Sequence, residues 1–189
     1  MRKILKAIAV LSIGLFALTA NAGAHIHFLN LAARASYVLH SDSDFKDVYG
    51  SGNLSFGSKA SLRLFEGLHI TGGVGFFKTK GTVPDTEFDA EADQRTLSAG
   101  LEYVFELSYY WEFRLGADVQ FINYEESAFG EKIEGNGTAY RAEAGLLYRL
   151  THNMFLEIFS GYAFGDDDAE GKPIKLGGFQ AGLALAFRL

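Results

Sequence analysis

After residue 28, apolar and polar residues alternate with period two over most of the chain, in eight segments: 28–39, 52–64, 68–79, 95–106, 110–123, 138–150, 154–164 and 177–189. Successive side chains of a strand point to opposite faces, so each segment predicts a β-strand with one apolar and one polar face. The fifth segment sets Trp111, Phe113, Leu115, Ala117, Val119 and Phe121 against Glu112, Arg114, Gly116, Asp118 and Gln120. The seventh is the least regular, with Phe155 and Phe159 beside Glu157 and Gly161 on its polar face. The eighth sets Leu183, Leu185, Phe187 and Leu189 against Ala184, Ala186 and Arg188.

The connections alternate in length. Short ones lie at Phe65-Glu66-Gly67, Leu107-Ser108-Tyr109 and Thr151-His152-Asn153, each able to close a hairpin. Long ones span 40–51, 80–94, 124–137 and 165–176 and hold sixteen of the 23 acidic residues. Short and long turns therefore fall at opposite ends of an up-and-down antiparallel sheet.

Either face of such strands could be the inner one. A soluble sandwich or barrel turns the apolar face inward; a membrane barrel turns it outward. Four features favour the membrane. The apolar face carries large residues, while the other carries glycines such as Gly73, Gly100, Gly116, Gly145 and Gly161 among long charged side chains. That mixture fits a narrow lumen, since eight strands enclose only enough space for side chains. The polar face also nearly balances in sign. Arg34, Lys59, Arg63, Arg114, Arg141, Arg149 and Arg188 meet Glu102, Glu106, Glu112, Asp118, Glu143 and Glu157, as charges out of water require.

Third, aromatics gather at both strand ends. Tyr37, Phe76, Phe121, Tyr124, Tyr140, Tyr162 and Phe164 lie toward the long connections. Phe65, Tyr103, Phe105, Tyr109, Tyr110, Trp111, Tyr148 and Phe187 lie toward the short ones. Two aromatic girdles around an aliphatic band mark the interfaces of a membrane barrel. Fourth, each segment has the ~9–11 residues of a tilted membrane-spanning strand.

The N-terminus agrees with export. Arg2, Lys3 and Lys6 precede an apolar run from Ile8 to Leu18 and a small-x-small site at Ala20-Asn21-Ala22. This predicts a signal peptide over 1–22, cut before Gly23, with residues 23–189 forming one domain. The chain has no Cys, so no disulfide framework holds the fold. Without Arg2, Lys3 and Lys6, 14 basic residues face 23 acidic ones, a formal charge of −9, which disfavours nucleic acid as a partner.

In architecture the whole of 23–189 resembles the small eight-stranded outer-membrane β-barrels, the group with the OmpA transmembrane domain, OmpX and the opacity-type proteins. The resemblance implies an all-β transmembrane barrel in the outer membrane of a Gram-negative-type bacterium. Long connections would be extracellular and termini periplasmic, with lipid and lipopolysaccharide around a monomer. It also implies that Leu183, Leu185, Phe187 and Leu189 form the C-terminal signal for the outer-membrane assembly machinery. Leu189 departs from the terminal Phe usual in the group.

Catalytic and metal motifs are weak. His25-x-His27 offers two ligands without a third, and "HSDSD" at His40 reads as the start of a solvated loop. His69 is expected in the lumen. "GDDDAEG" at 165–171 concentrates carboxylates without the spacing of an EF-hand loop. The expectation is a non-enzymatic barrel without cofactor or metal, its lumen plugged by paired charges, serving as a structural or surface-interaction protein of the envelope. A narrow porin-like channel is the alternative, and a lipid A-modifying enzyme a third reading.

Overall fold

Each alternating segment is a strand, and the strands close on themselves in sequence order. The computed structural model describes residues 28–84, 86, 88–129, 131–169 and 172–189. The expected signal peptide and the His25-x-His27 pair lie outside these residues. The elements are β1 (Leu29–His40), α1 (Ser43–Tyr49), β2 (Gly52–Phe65), β3 (Leu68–Thr82), β4 (Asp89–Glu106), β5 (Trp111–Ala128), β6 (Glu131–Arg149), β7 (Met154–Ala169) and β8 (Lys172–Arg188). All neighbours pair antiparallel, and β8 pairs with β1 to close the barrel. The C-terminus takes part: Leu189 N–H donates to Leu29 O at 2.9 Å and Phe28 N–H to Leu189 O at 3.0 Å.

The register fixes the shape. Stepping across paired residues from Leu29 leads through Leu62, Ile70, Leu101, Ala117, Ala142, Tyr162 and Phe179, and returns to β1 at Leu39, ten residues on. With eight strands ~4.8 Å apart and ~3.3 Å per residue, this stagger tilts the strands by about 40°. Trp111 and Phe121, the ends of the apolar face of β5, are ten residues apart. At that tilt they lie about 25 Å apart along the barrel axis, the height of a membrane barrel's apolar band.

Burial decides between the soluble and membrane readings. Leu101, Leu115, Ile158 and Leu183 are 52%, 53%, 60% and 54% exposed, whereas Glu112, Glu143 and Arg114 are 1%, 2% and 3% exposed. The barrel is inverted, with a hydrocarbon-facing wall and a charged interior. Both girdles face outward, with one correction: Tyr124 points into the barrel and packs with Ile122, Ala139 and Leu176.

The short turns are as expected. In the β2–β3 turn Gly67 has φ +71°, and a Cβ there would fall 2.7 Å from the Tyr103 ring, so glycine is required on both counts. The long connections are a correction. Most of 80–94, 124–137 and 165–176 is strand, extending the β3–β4, β5–β6 and β7–β8 hairpins beyond the upper girdle. Their acidic composition reads as loop, but cross-strand lysines offset it. Lys78 and Lys80 reach Glu91 at 2.9 and 2.5 Å, and Lys132 reaches Glu125 and Glu134 at 3.0 and 2.7 Å. Each exposed pair contributes little, yet it removes the like-charge clash across the ladder. The fourth connection holds α1. Asp42 caps it by accepting from Phe45 N–H at 2.9 Å, and Phe45, Val48 and Tyr49 face the barrel, packed on Ala90 and Ala92.

A barrel of this kind resists detergent until heated, so unheated and boiled protein should migrate differently on an SDS gel. Leu101→Arg, at the middle of the outward belt, should cost about 2–4 kcal/mol in urea unfolding from lipid vesicles.

Candidate functional site

The lumen is the candidate site, and it fills in layers. Nearest the short turns, Glu112 of β5 pairs with Arg188 of β8 and, at 3.4 Å, with Arg149 of β6. Arg188 also donates to Asn30 at 3.1 Å, and its guanidinium lies 4.0 Å from the Phe155 ring centroid.

The middle layer centres on Arg114 of β5. Its guanidinium reaches Glu102 of β4 at 3.2 Å, Glu143 of β6 at 2.7 Å, and Glu157 of β7. Lys59 of β2 pairs with Glu102 at 2.5 Å and Arg34 of β1 with Glu143 at 2.5 Å. Strand alternation aims all of these inward, and the register brings six strands to one level. Glycine makes the room: a Cβ on Gly145 would overlap Glu157 Oε1 and lie 2.9 Å from Arg114 Nε. Arg34 stacks 3.7 Å from the Phe159 ring centroid, a cation–π contact.

Above it, Arg141 of β6 donates to Asp118 of β5 at 2.7 Å and lies 3.6 Å from Glu143. Gln180 of β8 donates to Glu143 at 3.1 Å. Four cations, Arg34, Lys59, Arg114 and Arg141, thus face four carboxylates, Glu102, Asp118, Glu143 and Glu157, and the cluster is neutral.

Eleven of the thirteen residues expected in a lumen charge network are in these ion pairs. Arg63 and Glu106 differ: among the described residues neither makes one. Both line a cavity of about 420 Å³ at the short-turn mouth, where water can solvate them. His69 is buried, with Nδ1 3.0 Å from Gly67 O, and lines the same mouth.

Other features were not expected. Phe155 and Phe159 serve as flat shelves for guanidinium groups, which explains the irregular face of the seventh segment. The outer third of the lumen is apolar, built from Phe77, Ile122, Tyr124, Ala139 and Leu176 under α1. Ile122, Tyr124 and Phe121 carry the one available signal: a strand apolar on both faces is covered on both. His40 is a correction too. It ends β1 rather than opening a solvated loop, its ring lies 4.4 Å from Phe45 and 5.2 Å from Phe77, and Nε2 is 3.2 Å from the Asn53 amide. Among the described residues no group of three His, Cys, Asp or Glu side chains is placed to hold a metal. The run at 165–171 extends β7 as far as Ala169.

Removing one member of a buried pair strands the other charge. Arg114→Ala should therefore cost about 3–5 kcal/mol of unfolding free energy, whereas Arg63→Ala should cost less than about 1 kcal/mol. Gly145→Ala should also destabilise, by pushing Arg114 from Glu157. Equal urea midpoints for Arg114→Ala and Arg63→Ala would show that the middle layer is wet.

No protein-family model matches the chain, and neither does any curated protein. Solved structures do. OprG from Pseudomonas aeruginosa aligns with a TM-score of 0.68 and 11% identity over 85% of this chain and 95% of that one. Neisserial surface protein A aligns at 0.58 and 16% identity, over 85% and 96%. The N-terminal β-barrel domain of Pseudomonas aeruginosa OprF aligns at 0.56 and 15% identity, over 85% and 97%. The chain therefore has the fold of the small eight-stranded outer-membrane β-barrels, the group its sequence resembles.

Proposed function

We propose that the protein is a non-enzymatic barrel of the outer membrane, with a lumen closed by paired charges and an acidic outer end for surface interaction. The observation that carries this reading is the neutral eight-residue cluster around Arg114. It spans the lumen from β1 to β7, and its side chains are at most 10% exposed. An ion crossing the barrel would have to separate several short pairs at once. The outward belt and girdles support a bilayer position. The acidic hairpin ends support an extracellular outer mouth, which leaves the termini periplasmic.

On this reading the belt contacts lipid and lipopolysaccharide, and the chain acts as a monomer. Leu183, Leu185 and Phe187 on the outward face of β8, with Leu189 just past its end, would present the signal to the assembly machinery. The second reading, a narrow channel, draws on the cavities on either side of the cluster: about 420 Å³ at the short-turn mouth, and about 90 and 330 Å³ on the outer side. Planar-bilayer recording separates the two: the purified barrel should give no stable conductance, and reproducible open channels would favour the pore. Lipid A mass spectra with and without expression should match; an altered acyl pattern would support the enzyme reading instead.

A further inference from the structure

The outer mouth holds a cavity of about 330 Å³ between α1 and the inner faces of β3–β5 and β8. That is the size of a small-molecule pocket, which is mostly apolar with a few polar groups that orient the ligand. Its walls are Phe45 and Tyr49 of α1, Phe77 of β3 and Leu176 of β8. Phe45 packs 4.5 Å from Tyr49 and 6.3 Å from Phe77, centroid to centroid.

Five carboxylates line this cavity beside His40, Gln94 and Lys175, His40 lying 3.2 Å from the Asn53 amide, and most of the carboxylates are engaged. Asp42 caps α1 and also accepts from Lys175 N–H at 3.0 Å. Asp93 pairs with Arg95 at 3.3 Å and Glu125 with Lys132 at 3.0 Å. Exposed Asp44 accepts from Ser43 at 3.4 Å. Glu126 differs: it lines the cavity, is half-buried, and has neither an ion pair nor a hydrogen bond among the described residues. Burial, with Asp42 nearby, pushes its carboxyl above the usual carboxylate range. Lys175, exposed at the rim, makes no ion pair among the described residues.

An unpaired, partly desolvated carboxylate is stabilised by a cation, and aromatic faces favour a weakly hydrated one. We propose that this vestibule binds a small amphipathic cation, an arylalkyl or quaternary ammonium, with its charge against Glu126 and its apolar part on Phe45, Tyr49, Phe77 and Leu176. The site lies above the charge cluster, so binding does not require the lumen to open.

The test is calorimetric titration of the full barrel in lipid nanodiscs, which keeps detergent out of the cavity. Benzyltrimethylammonium should bind, tetramethylammonium should bind about tenfold more weakly for want of an aryl group, and benzenesulfonate should not bind. Glu126→Gln should weaken benzyltrimethylammonium by about fivefold, the scale of one desolvated charge contact. Glu134→Gln, which loses only an exterior pair with Lys132, should leave it unchanged. Both variants should keep the heat-dependent gel shift of a folded barrel. Equal losses in the two variants would mean diffuse surface attraction and overturn the site. Equal binding of benzyl alcohol, with no effect of Glu126→Gln, would overturn the cation assignment. No binding by folded wild type would overturn both.

Discussion

A guanidinium held away from water needs carboxylates on all sides, and the interior of this barrel is arranged around that need. Arg114 touches Glu102, Glu143 and Glu157, which come from three other strands. Each carboxylate is in reach only because the stagger of ten residues puts β4, β6 and β7 at the height of Arg114, and because Gly145 leaves space beside it. The pairs also defend the register. A slip of one residue would turn every inward charge toward hydrocarbon, at about 2–4 kcal/mol for each Arg or Lys near the midplane. A lumen filled with leucine would pack as densely, but its strands would be apolar on both faces and could not tell inside from outside.

Charge is segregated along the barrel axis. Beyond residue 28 and with Lys78 and Arg95 set aside, the strand segments and short turns carry seven basic residues and seven acidic ones, the latter being the six lumen carboxylates and Glu66. The formal −9 falls entirely in the long connections together with the adjoining Lys78 and Arg95, where seven basic residues accompany sixteen acidic ones. Neutrality below follows from burial. The excess above is free of that constraint, and the lysine pairs along β3–β4 and β5–β6 only partly offset it. An outer mouth so charged attracts cations and repels anions over roughly a Debye length, about 8 Å at physiological salt.

The in–out assignment of every strand was legible in the sequence, because a barrel wall between lipid and a charged lumen enforces strict period two. The lumen charges were legible for the same reason, but not their partners: Arg114 meeting Glu157 across 43 positions depends on register, which alternation leaves open. The hairpin extensions were hidden, since their outer face lies in water and carries charge, their inner face is covered only in part, at Ala90, Ala92, Tyr124 and Leu176, and so their acidic residues resemble a loop. Helix α1 left a faint trace, Asp42 as cap followed by Phe45, Val48 and Tyr49 at helical spacing, within a stretch that the acidic count marked as connection. Tyr124 matches the girdle by its height along the strand alone. Its neighbour Ile122 shows why it turns inward: above the membrane the lumen changes from charged to apolar, and α1 covers it.

A closed lumen requires the buried charges to act as a coupled, dry network, and a double-mutant cycle on Arg141 and Asp118 in lipid vesicles tests this most directly. Their contact, 2.7 Å between Nη2 and Oδ2, predicts single-variant losses that are far from additive, with a coupling energy of about 1.5–3 kcal/mol. Additivity within about 0.5 kcal/mol would mean that water already separates the pair, and would contradict a lumen closed by its own charges.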